Sequence, residues 1–106
     1  MPLSDYQKQI DDSVQKFAVP YWAPLSILAR VTEEVGEVAR ILNAEYGDKP
    51  KKPGEEHELL EDEIADVMYA LLALANSQGI NMDDAMQRSI AKLETRDKDR
   101  FERKAI

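Results

Sequence analysis

Residues Glu61 to Asn76 read E-D-E-I-A-D-V-M-Y-A-L-L-A-L-A-N. From Ile64 to Ala75 every position is apolar except Asp66, with the Tyr69 hydroxyl the only other polar group. Strong helix formers dominate and there is neither Gly nor Pro, so the stretch predicts an α-helix. A helix apolar on all sides expects burial on most of them. The run is about a dozen residues against the roughly 20 of a membrane span, so the burial is expected in protein. Asp66 follows Glu63 by about one turn and shares its side of that helix. An ionised carboxylate there is costly unless it is paired or bound to a metal. No Lys or Arg lies between Ile64 and Gln87, so a structural account needs a tertiary pair with Arg30, Arg40 or Lys92.

Three further helices are expected around this one. Ser4 or Asp5 can cap the first, which runs to about Ala18 with Tyr6, Ile10, Val14 and Phe17 on one stripe. Pro20 and Pro24 bracket an aromatic link, and Pro24 suits the first turn of a second helix reaching Tyr46, with Gly47 as its stop. Asp48 to Gly54 is a polar connector rich in Pro and Lys, after which Glu55 or Glu56 opens the third helix, ending near Gly79. Asn81 caps a fourth to about Leu93, and a basic tail covers 94–106. There is no strand-period alternation, so the class is all-α with a four-helix arrangement in a single domain, 1–106. Apolar residues are in excess of what a small bundle can cover, since the second helix also carries Ile27, Leu28, Val31, Val35, Val38, Ile41 and Leu42. Homo-oligomerisation is the expected outlet.

The chain has 106 residues, 43% hydrophobic and 33% charged, a folded rather than a disordered balance. With 21 acids against 14 bases its formal charge is −7, which argues against a nucleic-acid polymer as partner. The absence of cysteine removes disulfides and thiolate metal sites. With no signal-like N-terminal run, the expected location is the cytoplasm.

The second helix carries Glu33, Glu34 and Glu37. At about 100° per residue Glu34 falls inside the arc of Ile27, Val31, Val38 and Ile41, Glu37 lies on its margin, and Glu33 is further round. Gly36 between them weakens the helix, which a close approach by another helix or a ligand would explain. Glu34 and Glu37 facing Glu63 and Asp66 make a cage of four carboxylates, which cannot stay close without cations. Hard oxygen donors select Mg²⁺, with Mn²⁺ as a substitute. The single His57 lies outside the set, and the Glu-x-x-His pair of di-iron bundles is missing. Magnesium shares its ligands readily with phosphates, so the cage predicts a phosphate-bearing substrate and metal-assisted phosphoryl chemistry.

E-E-V-G-E at Glu33 to Glu37, followed by E-I-A-D at Glu63 to Asp66, resembles the EExxE…ExxD signature of MazG-like nucleotide pyrophosphohydrolases. These belong to the all-α NTP pyrophosphatase superfamily, alongside dimeric dUTPases, dCTP pyrophosphatases and phosphoribosyl-ATP pyrophosphohydrolases. The likeness extends through A-R-V-T-E-E-V-G-E-V-A-R, Y-G-D-K-P-K-K, D-V-M-Y-A-L-L-A-L-A-N-S-Q-G-I and K-L-E-T-R-D-K-D-R, and covers most of the chain from Trp22 to Arg100. It implies a four-helix MazG-like bundle and Mg²⁺-dependent cleavage of a nucleoside triphosphate between its α and β phosphates. By the same likeness Glu34, Glu37, Glu63 and Asp66 hold the metal, and Glu33 is a candidate general base or orienting group. Lys92 and Arg96 are the basic positions expected to meet phosphates. Tyr69 and Asn76 are candidates to bond the sugar or a phosphate, with hydrogen bonds at the core edge as the alternative. Lys49, Lys51 and Lys52 are candidates to close over the triphosphate. Trp22 is a candidate to stack on a base, with packing as the alternative. A phosphoribosyl-ATP, dUTP or dCTP substrate, or a non-catalytic helical interaction module, are the competing readings.

Overall fold

The structure is a computed structural model that describes residues 2–48 and 58–105. Among these residues there are four helices and no strand: α1 (Leu3–Val14), α2 (Pro24–Tyr46), α3 (Leu60–Ser77) and α4 (Met82–Arg96). The predicted sites Lys49, Lys51 and Lys52 lie outside the described residues, as does His57. The third helix begins at Leu60 and not at the predicted Glu55 or Glu56, since Leu59 is extended and serves as its N-cap.

The central stretch is helical as expected, and α2 packs along it as its principal neighbour. The two run antiparallel: Ile27 meets Ala70 and Ala73 toward one end, and Val38 meets Ile64 toward the other. Ile27, Val31 and Ile41 from α2 and Ala70, Leu72 and Ala75 from α3 are buried, forming most of the core. The expectation that α3 is enclosed on most faces is not met. Ile64, Met68 and Leu71 stay between 41% and 47% exposed, because α1 reaches only the C-terminal part of α3 and α4 docks chiefly on α1.

That last preference has a local cause. The α1 N-terminus has no cap of its own at Pro2, and neither Ser4 nor Asp5 supplies one. Instead Asp83, in the first turn of α4, accepts from Leu3 N at 2.8 Å and from Ser4 N at 3.3 Å. An orphaned helix N-terminus is thus satisfied by a carboxylate from another helix. These hydrogen bonds, that of the Ser4 side chain foremost, hold the Asp83 carboxyl below its ordinary range. A depressed carboxyl contributes stability above its unfolded pKa and loses it as pH falls through the folded value. Asp83→Asn is therefore expected to lower the melting temperature by a few degrees at pH 7 and to make little difference near pH 2. Equal losses at both values would refute the ionic cap.

Gln7 is the buried polar residue of α1, at 7% exposure. Its Nε2 donates to Asn76 Oδ1 at 3.0 Å and to Ile80 O at 2.7 Å, while Oε1 accepts from Met82 N at 2.9 Å. It thus ties α1 to the end of α3 and the start of α4. Asn76 returns two bonds, donating to Gln7 O and to the Tyr21 hydroxyl, which itself donates to Asp11 Oδ1 at 2.6 Å. Burial first, and then the Asp11 carboxylate, push the Tyr21 hydroxyl up to about 12. The buried pair on α1 is Gln7 and Val14; Tyr6 and Phe17 of the predicted stripe are 47% and 64% exposed.

The helix limits differ from expectation in instructive places. α1 stops at Val14 rather than Ala18, where Phe17 N turns back onto Val14 O at 3.0 Å. α2 spans Pro24–Tyr46 as predicted, but Gly47 is extended rather than left-handed, and a Cβ there would collide with Asn43. α3 ends in a Schellman turn, with Ile80 N on Ala75 O and Gly79 N on Asn76 O. That turn needs Gly79 at φ 67°. Asn81 caps α4 by accepting from Asp83 N and Asp84 N, and α4 continues to Arg96 rather than Leu93.

Candidate metal centre

Antiparallel packing sets Glu34 of α2 opposite Glu63 and Asp66 of α3, and one oxygen of each lies within 4.8 Å of the others. Glu34 and Glu63 are half-buried, while Asp66 is exposed. The sequence reading of Asp66 as a buried acid is therefore corrected: it stands on the open side of α3. Glu63 registers the crowding. Burial first, then the charges of Asp66, Glu37, Glu34 and Glu58, push its carboxyl above its ordinary range. Among the described residues neither Glu63 nor Asp66 forms an ion pair. The three acids have hard oxygen donors, mutual proximity and no basic partner at two of the three positions. That donor set fits a divalent cation.

The fourth predicted ligand is paired locally. Glu37 Oε2 accepts from Arg40 Nε at 2.9 Å and Nη2 at 2.5 Å, and the same Nη2 reaches Glu58 Oε2 at 2.7 Å. Arg40 lies about one turn along from Glu37, and this local i,i+3 pair occupies Oε2 while the Glu37 charge still acts on Glu63. Glu33 is exposed on the polar side of α2, as the helical phase requires. At Gly36, where a close approach by another helix or a ligand was expected, no described residue outside the local helix backbone comes within 4 Å of where a Cβ would sit, so no described helix makes that approach.

Other predicted site residues fall in three places. Tyr69 and Trp22 lie beside the acids, joined by a residue that sequence reasoning considered only as a partner for Asp66. The Arg30 guanidinium is 5.7 Å from each of their ring centroids, and its Nε is 3.9 Å from Glu34 Oε1. The i,i+4 spacing of Arg30 and Glu34 was the available signal. Asn76 is not with them. Both its amide protons and its oxygen are engaged with Gln7 and Tyr21, the core-edge alternative. Lys92 and Arg96 are exposed on α4, with Arg96 paired to Asp97, and no contact among the described residues brings them to the acids.

Known proteins share this sequence pattern and fold. The model of the MazG nucleotide pyrophosphohydrolase domain matches residues 23–101. The uncharacterized protein YpjD of Bacillus subtilis (strain 168) is 45% identical over 102 residues, covering 96% of this chain and 92% of YpjD. A crystal structure of Bacillus subtilis YpjD superimposes with a TM-score of 0.78 at 41% identity, over 87% of this chain and 94% of that one. A Bacillus-conserved MazG protein, described as a nucleotide pyrophosphohydrolase, gives 0.76 at 35% identity, over 93% and 96%. The matched segment contains both helices that bear the acids, and the chain belongs to the MazG nucleotide pyrophosphohydrolase family, enzymes that hydrolyse phosphoanhydride bonds of nucleotides.

Proposed function

We propose that this chain is a Mg²⁺-dependent nucleoside triphosphate pyrophosphohydrolase that releases pyrophosphate and leaves a nucleoside monophosphate, keeping the nucleotide pool clean. The observation that carries the reading is the convergence of Glu34, Glu63 and Asp66 within 4.8 Å with no cation paired to the last two. These three residues hold the metal, and Mn²⁺ can substitute for Mg²⁺. Glu37 completes the set through Oε1, the oxygen for which no Arg40 bond is seen, while Arg40 steadies Oε2. A divalent ion bound there supplies charge neutralisation at the phosphates and a lowered pKa for the attacking water. Glu33, exposed and next to the ligand Glu34, is the proposed general base or orienting group for that water. Trp22 and Tyr69 contact substrate, and Lys92, Arg96, Lys49 and Lys52 meet the phosphates. Since α4 does not bring its bases to the acids within one chain, the proposal assigns that role to an assembled homo-oligomer. The half-exposed Ile64, Met68 and Leu71 on α3 and Met86, Ile90 and Leu93 on α4 support such an assembly. One domain over residues 1–106 acting in the cytoplasm completes the proposal. No described helix is long and apolar enough to cross a membrane.

A pyrophosphate-release screen over canonical and damaged (deoxy)nucleoside triphosphates tests it. The expected products are monophosphate and pyrophosphate, formed with Mg²⁺ or Mn²⁺ and abolished by EDTA. Diphosphate plus orthophosphate would refute the cleavage position. Sedimentation of the same sample is expected to give a dimer or tetramer, and a monomer at assay concentrations would refute the assembly.

A further inference from the structure

Beyond the acids, the same two helices change character. Arg30 and Ile27 precede Glu34 along α2, and Tyr69, Ala70 and Ala73 follow Asp66 along α3, and all five line, with Trp22, an open cavity of about 220 Å³. Its wall is mostly apolar, with Arg30 and two tyrosines among the lining, and Ala70 and Ala73 keep the space open where larger residues would fill it. Arg30 stands at the boundary with the acids. Two aromatic rings at 5.7 Å and the Glu34 carboxylate at 3.9 Å hold its guanidinium in place. At 43% side-chain exposure, a 3.9 Å ion pair alone would fix it weakly, so the rings do much of the positioning.

We infer that this cavity receives the nucleobase of the substrate and that Arg30 is a specificity-determining residue that reads the edge of the base. The inference rests on the reading of the acids as the metal and triphosphate site. An apolar recess with a few convergent polar groups suits a planar heteroaromatic ring. Aromatic side chains at its mouth offer stacking faces to any base. A guanidinium has donors only, so the edge it meets must present carbonyl oxygens or ring nitrogens. The placement also fits the ligand. Asp66 and Tyr69 are about one helical turn apart, as are Glu34 and Arg30, a separation of roughly 5 Å on each helix. A pentose fills that interval between a phosphate at the acids and a base in the cavity. Neutralising Glu34 is the other task Arg30 could perform, and it makes different demands on a variant.

Trp22 is the only tryptophan in the chain, so its emission reports on the cavity mouth. The test titrates the full chain, with Mg²⁺ present, using deoxynucleoside 5′-monophosphates and, separately, pyrophosphate. The monophosphates are expected to change Trp22 emission saturably and pyrophosphate to leave it unchanged. Arg30→Lys keeps the charge beside Glu34 but loses the planar fork. It is expected to weaken monophosphate binding at least ~10-fold, the loss of one hydrogen bond from a charged donor. Pyrophosphate affinity by calorimetry and the Mn²⁺-induced rise in melting temperature should be unchanged. Ala73→Leu, which fills the cavity from its wall, is expected to weaken the monophosphate in the same selective way. A silent Trp22 at saturating monophosphate overturns the cavity assignment. Equal weakening of monophosphate and pyrophosphate by Arg30→Lys, or loss of the Mn²⁺ effect, overturns the role given to Arg30. The titration requires no turnover, so its failure is distinct from a failure to hydrolyse triphosphates.

Discussion

Asp66→Asn is expected to slow pyrophosphate release by about 10²–10³-fold, because loss of a charged ligand weakens the hold on the ion that would stabilise the developing charge. The same variant should melt higher than the parent in EDTA. Removing the Asp66 charge relieves Glu63, whose carboxyl is pushed above its ordinary range by burial and then by that neighbour. In Mn²⁺ the order should invert, because an ion that binds only the folded parent raises its melting temperature while the variant has lost a ligand. The crossing of the two melting curves separates a metal centre from an acidic surface, which would show the first effect without the second. Retained activity, or an equal Mn²⁺ response in both proteins, would remove Asp66 from the centre. Glu63→Gln should behave likewise, whereas Glu34→Gln should share the loss of activity and of the Mn²⁺ response but gain less in EDTA, because it also gives up the pair with Arg30. The three losses should not add, since each alone dismantles the same site.

Gln7→Leu should cost about 3 kcal/mol of folding stability, although it exchanges a polar for an apolar buried residue. The substitution leaves Met82 N, Ile80 O and Asn76 Oδ1 without the partner that each has now. A buried polar group left unsatisfied costs about 1–3 kcal/mol, and the exposed margin of the site lets water recover part of the sum. The melting temperature should fall by more than about 10 °C. Amide exchange at Met82 should quicken first, because its proton loses its acceptor. A near-parental melting curve would show that these bonds are replaced by water at little cost.

Much of this fold was legible in the chain. Pro24 to Tyr46 and the cap at Asn81 are set by local chemistry, a fixed φ and a short acceptor side chain, and both stand where the residues place them. Helical phase likewise separated Glu34 from Glu33, and it brought Glu34 opposite Glu63 and Asp66. What misled was mostly what depends on a second element. The apolar run of α3 specified that its sides seek cover, but not which helix supplies it, and Asp83 and Gln7 take α4 to α1 instead. Within α2 itself, periodicity put Glu37 on the cluster margin but did not show that a local pair with Arg40 would occupy its Oε2. Arg30 was passed over because its aromatic supports come from the link before α2 and from α3, neither adjacent to it in sequence.

α3 is bolted at one end and chemically equipped at the other. Asn76, Gln7 and Tyr21 secure its C-terminal turn, whereas Glu63 and Asp66 project from its first turns against α2 alone. This separation makes the protein easy to evolve. A library randomised at Tyr69 and Arg30, with the acids kept, can explore new substrates without drawing on the bonds that keep the chain folded. Hardening of the hub around Gln7 would in turn leave turnover untouched. In most small enzymes gains in rate and gains in heat tolerance compete for the same residues; here they fall on opposite ends of one helix.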